Sequence, residues 1–452
     1  MLYRKIENEV ERHLASHSDK IMIIDGARQV GKSFIIRHVG QRLFANFIEV
    51  NMETDRMGRR LFAQAKTVED FYLALSAVAG DRMHTREDTL VFIDEIQAYD
   101  HLLTLLKFLR EDGRFTYIAS GSLLGVTLKL TPSIPVGSIT MREMYPLDFE
   151  EFVMANGVGR EALEAMRTAF RARRALPDAL RERMMDLFRK YLLVGGLPDA
   201  VNAFIETRNI VTVRTVHQDI RRLYGLDAAK YEASHARLKI QRIYGMIAST
   251  LENKKKRIVA KEVEGKQGKR MSDYDQEFEY LVSAGVALEV RAISKPEYPL
   301  VESSGKNLLK LYMNDVGLLT DIYYRNSIQP VMDDALGINL GAVYECVVAQ
   351  ELRAHGFDLF YYDNKKHGEV DFLIDDVNHL TVLPIEVKSG KGYTVHSALN
   401  NLLAVAEYRI AEAFVLSNEQ QVFVRGGITY LPVYDVMFLS PADSAGDGGL
   451  IP

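Results

Sequence analysis

Short apolar runs separated by amphipathic stretches fill the first third of the chain. Ile6, Val10 and Leu14 recur at helical spacing and predict a helix over residues 1–18. Four later runs are brief and rich in β-branched or aromatic side chains, as is typical of buried strands. These strands are predicted at residues 21–24, 47–50, 90–93 and 115–119. Because helical patterns lie between them, we expect an α/β domain whose parallel sheet is covered on both faces.

The pattern of apolar positions changes after Pro146. Residues 147–225 show helical spacing, interrupted by the Gly-Gly-Leu-Pro stretch at 195–198. Residues 236–325 show two or three helices followed by short strands, an order that suggests a winged helix. Residues 336–440 run helix, strand, strand, helix, strand, which predicts a further α/β domain.

Composition narrows the class of protein. The chain has 452 residues and a formal net charge of −5, with 47% hydrophobic and 26% charged residues. This balance provides no global attraction to nucleic acid or anionic membrane, so such contacts would require a local patch. The single cysteine, Cys346, excludes an intramolecular disulfide and fits a reducing compartment. Since no apolar run approaches the ~18 residues that span a bilayer and no signal-peptide core is present, we expect a cytoplasmic protein without membrane contact.

A phosphate-binding loop follows the first predicted strand. Residues 26–33 fit the pattern G-x-x-x-x-G-K-[ST], in which backbone N–H groups and the start of the next helix surround phosphates. Lys32 is expected to reach the β- and γ-phosphates and the Ser33 hydroxyl to bind Mg²⁺, with ATP as the nucleotide. The predicted nucleotide-binding residues are Gly26, Ala27, Arg28, Gln29, Val30, Gly31, Lys32, Ser33, Phe34 and Ser120.

Two carboxylates follow the third predicted strand. In an open α/β sheet, ligands bind at the carboxyl ends of the strands, where Asp94 and Glu95 would lie. Asp94 is expected to hold Mg²⁺ through water and Glu95 to polarise the attacking water as a general base. Ser120, after the fourth strand, either senses the γ-phosphate or belongs to a Ser-Gly turn. Arg142 is the candidate for an arginine that supports hydrolysis.

These motifs resemble a prokaryotic group of AAA-type ATPases. Further similarity lies in the YPLDFEEF stretch at 145–152, in residues 191–199 and in residues 310–319, in the family's order over nearly the whole chain. The resemblance implies an AAA-type ATPase domain, a winged-helix segment and a C-terminal nuclease-like domain of the PD-(D/E)XK type. The family usually has Gly-Arg before the YPL motif. This chain has Gly137 and Ser138 there, so an arginine role at that site would need Arg142 as a substitute.

A second constellation combines Glu345 with Glu369, Asp371, Glu386 and Lys388. Glu369 and Asp371 share one face of a predicted strand, as Glu386 and Lys388 do on the next, and the ~15-residue gap between the pairs suits a hairpin. Glu345, Asp371 and Glu386 are predicted metal ligands, because converging carboxylates hold hard divalent cations. Asp371, Glu386 and Lys388 would then catalyse water attack on a phosphodiester. A solvated salt-bridge face, or a nuclease-like scaffold that does not cleave, would use the same residues.

The winged-helix segment carries mixed signals. A basic stretch at residues 254–257 suits phosphate contacts. The predicted recognition helix starts near Ser272 and carries four acids between residues 273 and 279, which would repel a DNA groove. A structural or protein-contact role is therefore expected for this segment. His217 is expected at the protein surface.

The predicted organisation has five parts. They are a P-loop AAA-type ATPase domain at 1–146, a helical lid or linker region at 147–235, a winged-helix-like domain at 236–330, a nuclease-like domain at 331–440 and a disordered tail at 441–452.

The predicted function is a Mg²⁺-dependent ATPase whose nucleotide state regulates the nuclease-like domain. The alternatives are an ATP-gated, metal-dependent nuclease acting on DNA or RNA and a nucleotide-regulated binding module with an inactive nuclease-like scaffold. ATP is the expected partner. A nucleic acid at the C-terminal domain, a protein partner and a homo-oligomer are left open.

Overall fold

The fold was determined as a computed structural model, in which the chain divides into two compact units. Unit 1 comprises Met1–Tyr145 and Glu279–Val286, and unit 2 comprises Pro146–Phe278 and Ala287–Pro452. The structure describes residues 1–16, 18–122, 137–227, 234–265, 267–303, 305–333, 340–390, 392–419 and 421–441. The predicted disordered tail therefore lies, apart from its first residue, outside the described residues.

Unit 1 contains a five-stranded parallel sheet. Its strands are β1 (Ile21–Asp25), β2 (Asn46–Asn51), β3 (Thr89–Asp94), β4 (Thr116–Ser120) and β5 (Ile139–Glu143). The spatial order is β2-β3-β4-β1-β5, so β1 lies between β4 and β5. The four predicted strands are confirmed. Sequence analysis did not predict β5, an edge strand in which only Ile139 is buried, because such a strand has no continuous apolar run.

Helices surround the unit 1 sheet. They are α1 (Lys5–Ala15), α2 (Lys32–Leu43), α3 (Met52–Met57), α4 (Val68–Ala79) and α5 (Asp100–Asp112). The predicted first helix is confirmed, with Ile6, Val10 and Leu14 buried along one face. Thr67 begins α4 with a reciprocal capping box to Asp70, which satisfies backbone donors at the helix start. The core on one side of the sheet packs β1, β3 and β4 against α4 and α5.

The middle of the chain is helical, as predicted. The helices that follow are α6 (Phe149–Ala155), α7 (Arg160–Arg171), α8 (Asp178–Val194), α9 (Pro198–Thr207), α10 (Ile210–Asp227), α11 (Ser234–Glu252), α12 (Ala260–Glu264), α13 (Asp275–Ser283), α14 (Val316–Tyr324), α15 (Gln329–Met332), α16 (Leu340–Ala354) and α17 (Ser397–Leu403). Within the part of the chain that the structure describes, no helix has the length and apolar character needed to span a membrane.

Unit 2 contains a mixed eight-stranded sheet. Its strands are β6 (Ala287–Ile293), β7 (Gly305–Met313), β8 (Phe360–Asn364), β9 (Gly368–Asp376), β10 (Thr381–Lys388), β11 (Ala413–Ser417), β12 (Phe423–Arg425) and β13 (Ile428–Pro432). The spatial order is β12-β13-β11-β10-β9-β8-β6-β7. Strands β8, β9 and β10 form an antiparallel meander, and β11 pairs in parallel with β10 after the crossover through α17. The β6–β7 hairpin from the predicted winged-helix segment joins this same sheet through β8.

A buried polar brace in unit 2 contains His217. Its Nε2 donates to the Val194 carbonyl at 2.9 Å, and its Nδ1 accepts from Arg214 Nη1 at 3.3 Å. Arg214 also donates to the Leu193 and Gly317 carbonyls. His217 is fully buried, so the expectation of a surface histidine is wrong. Its side chain pairs with the backbone carbonyl at the end of α8, and an isolated sequence does not reveal that contact.

We expect His217 to make the fold sensitive to acid. Burial, with a contribution from Arg214, lowers the pKa of His217 from 6.5 to about 3. Between these pH values the unfolded chain binds a proton at His217 that the folded chain does not. The contribution of neutral His217 to the free energy of unfolding is therefore fully present above pH 6.5 and declines as the pH falls. At pH 5 the loss from this residue is about 2 kcal/mol, at about 1.4 kcal/mol per pKa unit. Urea unfolding at pH 7.5 and pH 5 measures it.

The control for this pH effect is His217→Gln, which cannot take up the proton and should lose about 2 kcal/mol less between the two pH values. Burial raises the pKa of the neighbouring Asp315 to about 6 and acts with the opposite sign, but it is common to both proteins and cancels in the comparison. Equal losses for the wild type and the variant would contradict the assignment to His217.

Candidate functional site

The loop between β1 and α2 has the backbone that its glycines permit. Gly26 has φ 137°, and a Cβ placed there would lie 2.2 Å from the Met144 carbonyl oxygen. Gly31 precedes α2 with φ 97°. Both φ values lie in the left-handed region, which residues other than glycine rarely adopt. The loop therefore curls at the amino end of α2, where the helix dipole favours a bound anion.

Arg4 braces the phosphate-binding loop, a role that sequence analysis missed. It is buried, and its Nη1 donates to the Val30 carbonyl at 2.7 Å while its Nη2 donates to the Tyr145 carbonyl at 2.6 Å. These charge-assisted bonds join the loop to the segment after β5. Nothing in the sequence around Arg4 signals this contact, because its partners are 26 and 141 residues away.

Lys32 is folded back onto the loop. Its Nζ donates to the carbonyl oxygens of Gly26 at 2.8 Å and Ala27 at 2.7 Å. Burial lowers the pKa of Lys32, while the nearby Glu95 and Asp25 oppose that shift. A triphosphate in the loop would offer the ammonium group a better acceptor than these two neutral carbonyls.

Asp94 is the centre of a polar network at the carboxyl edge of the sheet. The Ser33 hydroxyl donates to Asp94 Oδ1 at 3.0 Å, and the Ser120 hydroxyl donates to the same oxygen. Asn51 Nδ2 donates to Asp94 Oδ2 at 3.0 Å. Sequence analysis missed Asn51, although its place at the end of β2 was a usable signal. Three strand ends and the start of α2 thus meet at one carboxylate, the arrangement predicted for a Mg²⁺ site.

Glu95 is held by two neighbouring side chains. Gln97 Nε2 donates to Glu95 Oε2, and the Ser122 hydroxyl donates to the same oxygen at 3.3 Å. Glu95 also takes a left-handed backbone, with φ 52°, which costs energy in a residue other than glycine. Sequence analysis assigned no role to Gln97. Its position two residues beyond the predicted base was the available signal.

The remaining predicted residues surround the loop. Ala27 and Val30 are buried, and Gln29 is exposed with a left-handed backbone at φ 66°. Arg28 is half-buried. Phe34 is 54% exposed and stacks on His38. These residues belong to the loop or to the first turn of α2, and their binding roles stay predictions.

Arg142 lies on the edge strand β5. Its exposed guanidinium pairs with Glu9 at 2.7 Å. The candidate supporting arginine is therefore engaged in a surface ion pair of unit 1. Its role in hydrolysis stays a prediction.

The C-terminal acidic residues come together on the meander and on α16. Strands β9 and β10 pair as the predicted hairpin, and the Val387 N–H donates to Asp371 Oδ2 at 2.8 Å. Lys388 Nζ lies 2.7 Å from Glu386 Oε1. Glu345 is buried on α16 and accepts a hydrogen bond from the Tyr312 hydroxyl at 2.8 Å.

Burial and neighbouring charges shift the pKa values of these three carboxyl groups. Burial, together with the charges of Glu345 and Glu386, raises the pKa of Asp371 well above its usual range. Burial also raises the pKa of Glu386, against the opposing charge of Lys388. Burial opposes ionisation of Glu345 as well, but Lys256 and Lys310 outweigh it and lower the pKa. The cluster therefore resists carrying all three negative charges unless cations compensate them.

Lysine and arginine side chains of the same unit pair with these acidic residues. Lys256 pairs with Glu345, and the fully buried Lys310 pairs with Glu369 at 2.7 Å. Arg257 donates to Glu369 at 2.6 Å and to Asp363 at 2.7 Å. Within the described residues, no three His, Cys, Asp or Glu side chains are arranged to share a metal ion. The metal-ligand assignment of Glu345, Asp371 and Glu386 therefore stays a prediction.

The sheet order, the glycine loop and the strand-end carboxylates of unit 1 define a P-loop nucleotide-binding domain. Residues 18–153 match the family described as AAA domain, so this part of the chain is an AAA ATPase domain, which implies nucleotide binding. Residues 185–327 match a domain of unknown function, DUF8612, and residues 340–436 match another, DUF4143. No curated protein matches the chain.

Solved structures of low sequence identity also match. The Walker-type ATPase of Pyrococcus abyssi is 14% identical, with 71% of this chain and 95% of that chain covered and a TM-score of 0.43. The Orc1 protein of Aeropyrum pernix in complex with DNA is 12% identical, with 74% and 93% covered and a TM-score of 0.32. The RuvB Holliday junction branch migration motor of Thermotoga maritima is 13% identical, with 63% and 89% covered and a TM-score of 0.27.

Proposed function

We propose that the chain is a cytoplasmic Mg²⁺-dependent ATPase whose nucleotide state regulates its C-terminal nuclease-like domain. One observation carries the proposal: Ser33 at the start of α2 and Ser120 at the end of β4 both donate to Asp94 beside the phosphate-binding loop. Ser33 and Asp94 would hold a Mg²⁺ ion here, and the ion would neutralise charge on the phosphates of the nucleotide. The match to the AAA domain supports nucleotide binding.

Each residue of the site has a proposed role. The loop amides and Lys32 would hold the phosphates, and Ser33 with Asp94 would hold Mg²⁺ directly or through water. Glu95 would orient and deprotonate the attacking water, and Ser120 would contact the γ-phosphate. In the described conformation Gln97 and Ser122 both donate to Glu95 Oε2, and these hydrogen bonds would orient the carboxylate.

Calorimetry and phosphate release test this proposal directly. We expect ATP to bind with measurable heat in the presence of Mg²⁺ and phosphate release to stop when EDTA removes the metal, because the ion neutralises charge that develops on the transferred phosphoryl group. Protein treated with EDTA and then given excess Mg²⁺ should recover activity. An absence of heat with Mg²⁺ and every common nucleotide would overturn the proposal.

A second candidate function is metal-dependent phosphodiester cleavage at the C-terminal cluster. The supporting observation is that the Val387 N–H donates to Asp371 across the β9–β10 pair and Lys388 pairs with Glu386, while Glu345 lies buried on α16. A divalent cation bound by the carboxylates would activate water, and Lys388 would position it. The helices α11–α13 followed by the β6–β7 hairpin are consistent with a winged helix, which we propose for that segment.

Cleavage is testable with two substitutions. Asp371→Ala and Lys388→Ala should each abolish Mg²⁺- or Mn²⁺-dependent cutting of DNA or RNA, with a loss of about 10²-fold or more, since each removes a group assigned to the chemical step. The exposed Lys365 provides a matched control, Lys365→Ala, which should cut like the wild type. If the folded wild type cuts no nucleic acid with either metal, the domain is a scaffold and the chain a nucleotide-regulated binding module.

A further inference from the structure

Only part of the basic stretch in the predicted winged-helix segment is exposed to solvent. We call residues 254–257 the basic turn. Lys254 and Lys255 are exposed, whereas Lys256 and Arg257 are half-buried and directed at carboxylates. Lys256 pairs with Glu345, the carboxylate that α16 contributes to the cluster. The sequence of the basic turn suits phosphate contacts, but its Lys256 ammonium group contacts a carboxylate that was predicted to bind a metal ion.

Lys256 takes a strained backbone to make this contact. Its φ is 49°, in the left-handed region, which costs a residue with a side chain about 1 kcal/mol or more. Such a conformation persists only where surrounding contacts over-determine it. The pairing with Glu345 is a contact of that kind, because it compensates the charge of a carboxylate that is only 4% exposed.

The cluster also holds an unused ligand atom. Glu386 is 6% exposed, and its Oε1 pairs with Lys388 while its Oε2 is buried with no partner among the described residues. An orphaned buried carboxylate oxygen is costly, and a bound cation would satisfy it. In the described conformation no three acidic side chains are arranged to share an ion. The ammonium group of Lys256 compensates the charge of Glu345, as a bound cation would.

We propose that Lys256 is an internal counter-ion that blocks the C-terminal carboxylate cluster, which binds a divalent cation only after the basic turn withdraws. The proposal deepens the second proposed function and rests on it for the chemistry of the bound metal. Two outward lysines on the same turn, Lys254 and Lys255, give anionic ligands a contact point from which to draw the turn away. The blocked state would protect nucleic acid from unregulated cleavage.

Mn²⁺ binding to nucleotide-free protein, measured from the electron paramagnetic resonance signal of free Mn²⁺, tests the blocked state. Lys256→Met keeps the length of the side chain but removes its charge. If the open state is populated at about 1–10%, the variant should bind one Mn²⁺ about 10- to 100-fold more tightly than the wild type. Adding Asp371→Asn to that variant should abolish the gain.

Two matched variants separate charge from other effects. Lys256→Arg keeps the positive charge, and Lys261→Met removes an exposed charge from the following helix α12, so both should bind Mn²⁺ as the wild type does. If Lys256→Met fails to fold in thermal melts, Lys256→Gly replaces it, since glycine adopts φ 49° without strain. A folded variant without Lys256 that binds Mn²⁺ no better than the wild type overturns the proposal.

The same variants distinguish this proposal from the functions on which it draws. A gain in Mn²⁺ binding without nucleic-acid cutting supports the internal counter-ion and overturns cleavage as the use of the site. A gain in both supports both. The assay contains no nucleotide, so failure of the ATPase proposal would not change its result.

Discussion

Lys32→Ala should bind Mg²⁺-ATP at least about 100-fold more weakly than the wild type and show no turnover at micromolar nucleotide. Lys32 is the charged donor that would leave the Gly26 and Ala27 carbonyls for the phosphates. Charge-assisted hydrogen bonds contribute about 1.5–3 kcal/mol each, and about 2.7 kcal/mol corresponds to a 100-fold change in affinity. Calorimetric titration measures the affinity, and phosphate release measures the turnover.

Folding is the main control for this substitution. Burial disfavours the charged form of Lys32, so its replacement should not unfold unit 1, and thermal melts without nucleotide should match the wild type. Lys66→Ala removes an exposed lysine from the same unit and should leave binding and turnover unchanged. A Lys32→Ala protein with wild-type affinity and turnover would show that the triphosphate does not lie in this loop.

Glu95→Gln should retain nucleotide affinity but lower kcat by about 10²- to 10⁴-fold, the usual contribution of a positioned general base. Glutamine has the shape of glutamate but cannot accept the proton of the attacking water. Glu95 follows the predicted metal ligand Asp94 directly and lies at the same strand end as the phosphate-binding loop. Single-turnover phosphate release measures the chemical step, and titration measures binding separately.

The pair of substitutions discriminates between two roles. Loss of affinity in Lys32→Ala with retained affinity in Glu95→Gln would separate phosphate binding from water activation. Glu87→Gln, at an exposed position in the same unit, provides a matched acid control and should hydrolyse ATP normally. Normal hydrolysis by Glu95→Gln would mean that another group activates the water, and the assignment of Glu95 would fail.

The phosphate-binding loop and the acids at the end of β3 could be located from the sequence because their signals are local. The loop residues 26–33 are contiguous, and Asp94 with Glu95 directly follows an apolar strand. Asn51, Gln97 and Arg4 escaped prediction for different reasons. Asn51 and Gln97 lie next to predicted elements but carry no fixed motif, whereas Arg4 acts on carbonyls that only the folded chain brings near it.

The C-terminal cluster shows where local prediction ends. Strand alternation and hairpin length predicted the pairing of β9 with β10, which is confirmed. They did not predict that Lys256 would pair with Glu345 and Lys310 with Glu369, from segments far away in sequence. The pairing of the β6–β7 hairpin with β8 was not predicted either. Backbone hydrogen bonds join these strands, and every residue type except proline can donate and accept them, so the sequence does not name the partner strand.

The sequence by itself predicted the first helix, strands β1 to β4 and the phosphate-binding loop, because apolar periodicity and glycine spacing act over a few residues. The tertiary structure alone decided the strand order that places β5 beside β1, the burial of His217 and the partner of each lysine around the carboxylates. The physical reason is that the direction of a charged side chain is set by the desolvated partners it meets after folding. Those partners lie tens to hundreds of residues away along the chain.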